Sequence, residues 1–82
     1  MYKIVIPRNA QKDLKKIDKL YKERILVALN VLSKDPFTGK KLKGDYKMQY
    51  SYRVWLYRII YEIRKRELVV IVIRVGHRQG VY

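Results

Sequence analysis

Five residues of this 82-residue chain could together stabilise charge and move protons on a phosphodiester: Arg53, Arg58, His77, Arg78 and Tyr82. Cleavage of RNA by its own 2′-hydroxyl needs three things. The hydroxyl must lose a proton, the phosphorane gathers negative charge, and the 5′-oxygen must be protonated as it leaves. Arginines meet the charge through paired, charge-assisted hydrogen bonds. Histidine, with a reference pKa of ~6.5, can act as base or acid near neutrality. Tyrosine can stack on a base or assist proton transfer. Each residue also has a plainer reading: a solvated strand arginine, a surface histidine, a tyrosine packed on the core. Lys40, Lys41, Lys43 and Lys47 form either a solvated face or a nonspecific phosphate patch.

Other chemistries find no support. One histidine, no cysteine and scattered carboxylates give no metal-ligand spacing, so no metal and no cofactor is expected. The stretch "TGKKLKG" (38–44) lacks the strand–loop–helix context of a phosphate-binding loop. A single histidine specifies no Ser-His-Asp arrangement.

Charge narrows the partner. Twenty Lys and Arg against seven Asp and Glu leave a formal +13. Self-repulsion at that density disfavours the compact state, which implies a polyanion: nucleic acid, the ribosome as its densest form, or an acidic protein. No apolar stretch approaches the ~20 residues needed to span a bilayer, and "MYKIVIPRN" lacks a signal-peptide core. The expectation is one domain over residues 1–82, cytoplasmic, with no membrane partner.

The elements that must position these residues follow from periodicity. "YKIVI" (2–6) alternates and stops at Pro7, a short strand. Asn9 can cap a helix over about 10–17, with Ala10, Leu14 and Ile17 on its inner face. Asp18 can cap a second, running to about Ser33, with the stripe Tyr21, Ile25, Ala28, Leu29 and Leu32. Asp35-Pro36 ends the helical part, and 37–49 reads as a loop. From Tyr50 the period becomes two. A turn at Trp55-Leu56 joins two alternating strands, and "RKRE" (64–67) turns into an apolar run over Leu68–Val75. That run is apolar on both faces, as in a central strand. The class is α+β, in the order β-α-α-β-β-β: a mostly antiparallel four-stranded sheet with two helices on one face. The face left open then carries Arg53, Arg58 and Ile60, with Leu68, Val70, Val72 and Arg74 or their neighbours, depending on register. Arginines among exposed aliphatics suggest a binding surface.

"YRVWLYRIIYEI" (52–63), "VVIVIRVGHRQGVY" (69–82) and the preceding "KKLKG" together resemble the RelE toxin family, within the wider RelE/ParE group. The resemblance implies a RelE-like fold and a toxin of a type II toxin–antitoxin system. Its implied activity is that of a ribosome-dependent endoribonuclease (an mRNA interferase), which cuts mRNA in the A site and so inhibits translation. It also implies a cognate acidic antitoxin over the open sheet face. By the same resemblance Arg58 contacts the scissile phosphate, Arg78 is a second site arginine, and Tyr82 stacks on the substrate base. Arg53 falls where relatives often carry a basic residue, and His77 where they carry Lys or His. Two departures stand out: Ser51 replaces a basic residue of some relatives, and Trp55-Leu56 replaces a Gly-Asp turn. The alternatives are a ParE-like inhibitor of DNA gyrase, which shares the fold without cutting RNA, and a non-catalytic RelE-fold protein that only binds an acidic antitoxin.

Overall fold

The computed structural model describes residues 1–42 and 48–77. Among them the order is β1 (Lys3–Val5), α1 (Arg8–Lys15), α2 (Lys19–Lys34), a short 3₁₀ turn (Pro36–Thr38), β2 (Lys40–Lys41), β3 (Gln49–Val54), β4 (Tyr57–Arg64) and β5 (Val69–His77). The strands form one sheet in the order β1-β5-β4-β3-β2, with β1 parallel to β5 and the other neighbours antiparallel. This is the expected α+β arrangement of two helices on a mostly antiparallel sheet. The two-residue β2, inside the stretch read as loop, adds a fifth strand by pairing Lys40 with Ser51 and Lys41 with Tyr50. Two residues are too few to show a period, so sequence patterning could not find it.

The helical layer starts earlier than the capping signal suggests. Pro7 occupies the N-cap position of α1, and Asn9 lies inside the first turn. Proline's fixed φ and missing N–H cost nothing where a helix begins. The helix is tied to the preceding strand by the Gln11 side-chain amide, which donates to the Ile6 carbonyl at 2.8 Å. A break at Lys16–Asp18 then separates α1 from α2, so the helical part is two helices and not one continuous helix. Ala10, Ile17, Ile25, Ala28, Leu29 and Leu32 are buried, and Leu14 and Tyr21 pack against them, which is the apolar stripe the spacing selects. Asp35 ends α2, and its carboxylate accepts from the Phe37 N–H at 3.2 Å, so the residue that stops the helix also shapes the next turn.

Strand alternation sorts the sheet. Tyr50, Tyr52 and Val54 of β3, with Tyr57, Ile59, Tyr61 and Ile63 of β4, join the core cluster beneath the helices. β5 contributes Val70, Val72 and Val75, an uneven spacing produced by a bulge: Ile60 pairs with Arg74 but Tyr61 with Val72. The extra residue reverses the strand's parity. Val70 and Val72 therefore face the helices and not the open side, and Val69 and Ile71 take the outward positions. Leu68 lies outside the strand, in the turn, with φ +56°.

One buried polar contact anchors the 3₁₀ turn. Tyr61, fully buried in the middle of β4, donates its hydroxyl to the Pro36 carbonyl at 2.6 Å. Burial pushes the Tyr61 hydroxyl pKa well above its usual value, so it stays a donor. A methyl group at Gly39 would overlap that hydroxyl, which explains a glycine where the turn passes over the ring. Lys40, the next residue, is thereby placed at the sheet edge. Among the described residues, no helix is long and apolar enough to cross a membrane.

Candidate functional site

On the face of the sheet away from the helices, Arg53 and Arg58 stand directly opposite each other on β3 and β4. Residues so paired have Cβ atoms ~4.5–5.5 Å apart, and like charges at that distance destabilise the pair. A cross-strand arginine pair is a poor choice for stability alone and a good one for holding a phosphate between two guanidinium groups. Lys40 approaches from β2, opposite Ser51, so that Ser51, Arg53 and Arg58 share a shallow depression with Lys40 and Gly39. Its volume is about 360 Å³. Ser51, a buried hydroxyl, lines the depression between the cations, and its partner Ile60, also buried and outside the core cluster under the helices, lies beside it on β4.

The hairpin that carries the arginine pair closes through Trp55 and Leu56 between Val54 and Tyr57. Trp55 has φ +56°. A two-residue hairpin needs positive φ at its first or at both central positions, normally supplied by Gly or Asn. Here a tryptophan adopts it, at a cost of about 1–2 kcal/mol. Part of that is offset where the Arg24 guanidinium of α2 lies 4.7 Å from the centre of the indole ring. The tip is thus fixed against the helical layer, and the hairpin beneath it cannot splay.

His77 is elsewhere. It pairs with Tyr57, a helix-side residue, and its ring meets the Tyr57 ring edge-on at a centroid distance of 6.0 Å. With Asp13 of α1 and Lys16 just beyond that helix it lines a small polar pocket on the helix side of the sheet. Gly76, one residue before it, is the register partner of Arg58. The end of β5 therefore passes alongside the arginine pair, but the His77 side chain leaves on the other face. Lys41, opposite the helix-side Tyr50, also departs from the depression. Arg78, Tyr82, Lys43 and Lys47 lie outside the described residues. Arg53, Arg58 and Lys40 are the expected site residues that come together.

Sequence reading missed Asp13. Its carboxylate accepts from the Arg74 Nε–H at 2.9 Å and from the Val75 backbone N–H at 3.0 Å. Burial opposes the charge, but these bonds and the positive fields of Arg74 and Lys16 outweigh it and hold the carboxyl below its usual range. A lone aspartate in a lysine-rich helix gives no periodic signal of a bond spanning 61 residues. Sequence reading also missed a larger concavity, of about 630 Å³, between α2 and β3. It is lined by Leu20, Val27, Val31 and Trp55 and is mostly apolar. The smaller depression is the one that gathers Lys40, Arg53 and Arg58. Among the described residues, no group of three or more His, Cys, Asp or Glu side chains could hold a metal ion.

Known proteins resemble this chain over nearly its whole length. Toxin RelG of Mycobacterium tuberculosis is 29% identical over 83 residues, covering 99% of this chain and 95% of RelG. Among solved structures, a chain of the toxin–antitoxin complex RelBE2 of the same organism superposes with a TM-score of 0.86 at 29% identity, covering 94% of this chain and 91% of that one. The isolated E. coli RelE toxin superposes at 0.82 with 25% identity, covering 94% and 84%. The family described as the ParE toxin of the type II toxin–antitoxin system, parDE, matches residues 4–82. With a family match over almost the entire sequence and a RelE-like sheet beneath its arginine pair, the chain belongs to the RelE/ParE superfamily of type II toxin–antitoxin toxins.

Proposed function

We propose that this toxin is a ribosome-dependent endoribonuclease that cuts mRNA in the A site by attack of the 2′-hydroxyl, and that an acidic antitoxin covers its helix-free face. The observation that carries the reading is the cross-strand pair Arg53–Arg58, with Lys40 at the rim of the same depression. A phosphorane held there meets two guanidinium groups and one ammonium as its charge develops. Arg58, beside Gly76 at the end of β5, is the principal stabiliser; Arg53 and Arg78 are the supporting cations, and Tyr82 stacks on the base. Lys40, Lys41, Lys43 and Lys47 bind the nucleic-acid backbone without sequence preference. Proton transfer falls to His77 or Tyr82. Single-turnover cleavage by His77→Gln and by Tyr82→Phe separates the two. The net charge of +13 supports both a ribosomal target and an acidic partner. The relatives crystallised as toxin–antitoxin complexes support the second. This activity belongs in the cytoplasm, where ribosomes are.

Reconstituted ribosomes carrying a defined A-site codon test the reading directly. Wild-type protein should produce new mRNA 5′ ends at that codon, and Arg58→Ala should not. Intact mRNA with the wild type, or equal cutting by Arg58→Ala, overturns it. The match to the family described as the ParE toxin favours a second reading, inhibition of DNA gyrase without RNA cleavage. It predicts intact mRNA in the same reaction and lost supercoiling by purified gyrase.

A further inference from the structure

The end of β5 has a support that neither the core nor the sheet supplies. β1 pairs with β5 only at Val69–Ile71, so from Val72 onward the outer edge of β5 has no strand neighbour among the described residues. The bulge lies in this stretch, where Ile60 pairs with Arg74. A bulged strand end paired along one edge only is easier to shift than one paired on both. Here the edge is held by Asp13, whose single Oδ2 accepts from both the Arg74 side chain and the Val75 backbone.

Asp13 is the one acidic residue of α1 and sits near the C-terminal end of that helix, where a negative charge opposes the helix dipole. Aspartate is also a weak helix former. Neither local preference explains it. Its two bonds do, because they fix the residue immediately before Gly76, the partner of Arg58. Its side chain is 13% exposed, whereas that of Arg74 is 56% exposed. The carboxylate is thus built into the fold, and the guanidinium lies over it at the surface.

We propose that Asp13 is a positioning residue for the cleavage chemistry. By locking the bulged end of β5 it keeps Gly76 in register with Arg58 and His77 in register with Tyr57. The proposal rests on the nuclease reading above. Misplacement of a reacting group by ~1 Å costs on the order of 100-fold in rate, so loss of the lock should appear in turnover and not in ribosome binding.

The test compares wild type, Asp13→Ala and Asp13→Asn in single-turnover cleavage on programmed ribosomes, with Ala28→Gly in α2 as a control for lost stability. Asp13→Ala should cut roughly 10–100-fold more slowly at saturating ribosomes. Its half-saturating ribosome concentration should stay within about twofold of wild type. Asp13→Asn, which keeps an oxygen for the Val75 N–H, should recover part of the rate. In the free protein, the Val75 amide should exchange with solvent faster in Asp13→Ala than in wild type. Wild-type-like cutting by Asp13→Ala, an unchanged Val75 exchange rate, or equal slowing by Ala28→Gly overturns the proposal alone. Intact mRNA with the wild type overturns the nuclease reading and takes this proposal with it.

Discussion

Ile59 and Arg58 are neighbours on β4, yet they belong to opposite sides of a sheet whose two faces do different work. The helix-side face is continuous apolar packing, from Val54 and Ile59 to Ile63 and Val70, with the Tyr61 hydroxyl as a buried anchor. The face away from the helices holds two arginines opposite each other, beside the buried Ser51 and Ile60. One face is arranged as stability demands. The other brings two arginines side by side, and a placement that local preference does not favour is where function is expected to reside.

The contrast is sharpest in paired substitutions one residue apart. Ile59→Ala should lower unfolding free energy by about 2–5 kcal/mol, because a fully buried side chain leaves a cavity among rigid neighbours. In an 82-residue chain that is a large share of the total, and urea denaturation should show it as an earlier midpoint. Arg58→Ala should move that midpoint less than Ile59→Ala does and reduce mRNA cleavage roughly 10²–10³-fold. Equal loss of stability from both would show that the arginine pair is part of the fold and not a site.

The turn that presents Lys40 gives a smaller, intermediate effect. Tyr61→Phe removes the hydroxyl from a buried carbonyl and should cost about 1–3 kcal/mol. Gly39→Ala pushes a methyl group into that hydroxyl and should cost a similar 1–3 kcal/mol. Combined with Tyr61→Phe, Gly39→Ala should cost less than in the wild type, since the colliding oxygen is gone. A double-mutant cycle by denaturation checks this, and strict additivity would argue against the contact.

Smaller still is the hairpin tip. Trp55→Gly and Trp55→Ala both lose the stacking with Arg24, but only glycine adopts positive φ without strain. The glycine variant should be the more stable of the two by about 1 kcal/mol. The reverse order would mean that the hairpin tolerates tryptophan for reasons of packing alone.

How far the sequence revealed these two faces depends on how local each signal is. The helical stripe Ile25-Ala28-Leu29-Leu32 and the alternation Tyr57-Ile59-Tyr61-Ile63 repeat over several turns or residues, so periodicity located them and, by exclusion, put Arg53 and Arg58 on the opposite face. The outward set on β5 stayed open between two registers because one bulged residue, invisible in a run apolar at every position, puts Val69 and Ile71 outward together with Arg74. His77 drew attention as the sole histidine. Yet which face it occupies depends on that same bulge, and it stands beside Tyr57. Asp13 could not be read at all, since its partners lie 61 and 62 residues away and its neighbours repeat no pattern.

That unread aspartate ties the two faces together, and its charge supplies the finest comparison. Asp13 is buried enough to resist ionisation, yet hydrogen bonds from Arg74 and Val75 depress its pKa in the folded state. A carboxylate whose folded pKa lies below its unfolded value of ~3.9 stabilises the fold fully above that value. The contribution is lost as the pH falls from there through the folded pKa. Arg74 is largely exposed, so the ion-pair part is weak and screened by salt; the bond to the Val75 amide carries more. Asp13→Asn should therefore change nothing in the slope of stability against pH near neutrality, and should flatten it in the acid range below ~4. Denaturation midpoints at matched ionic strength on both sides of that value measure the effect. Wild-type and Asp13→Asn curves that stay parallel through the acid range would show that the carboxylate gains nothing from its two partners, and the end of β5 would then need another explanation for its order.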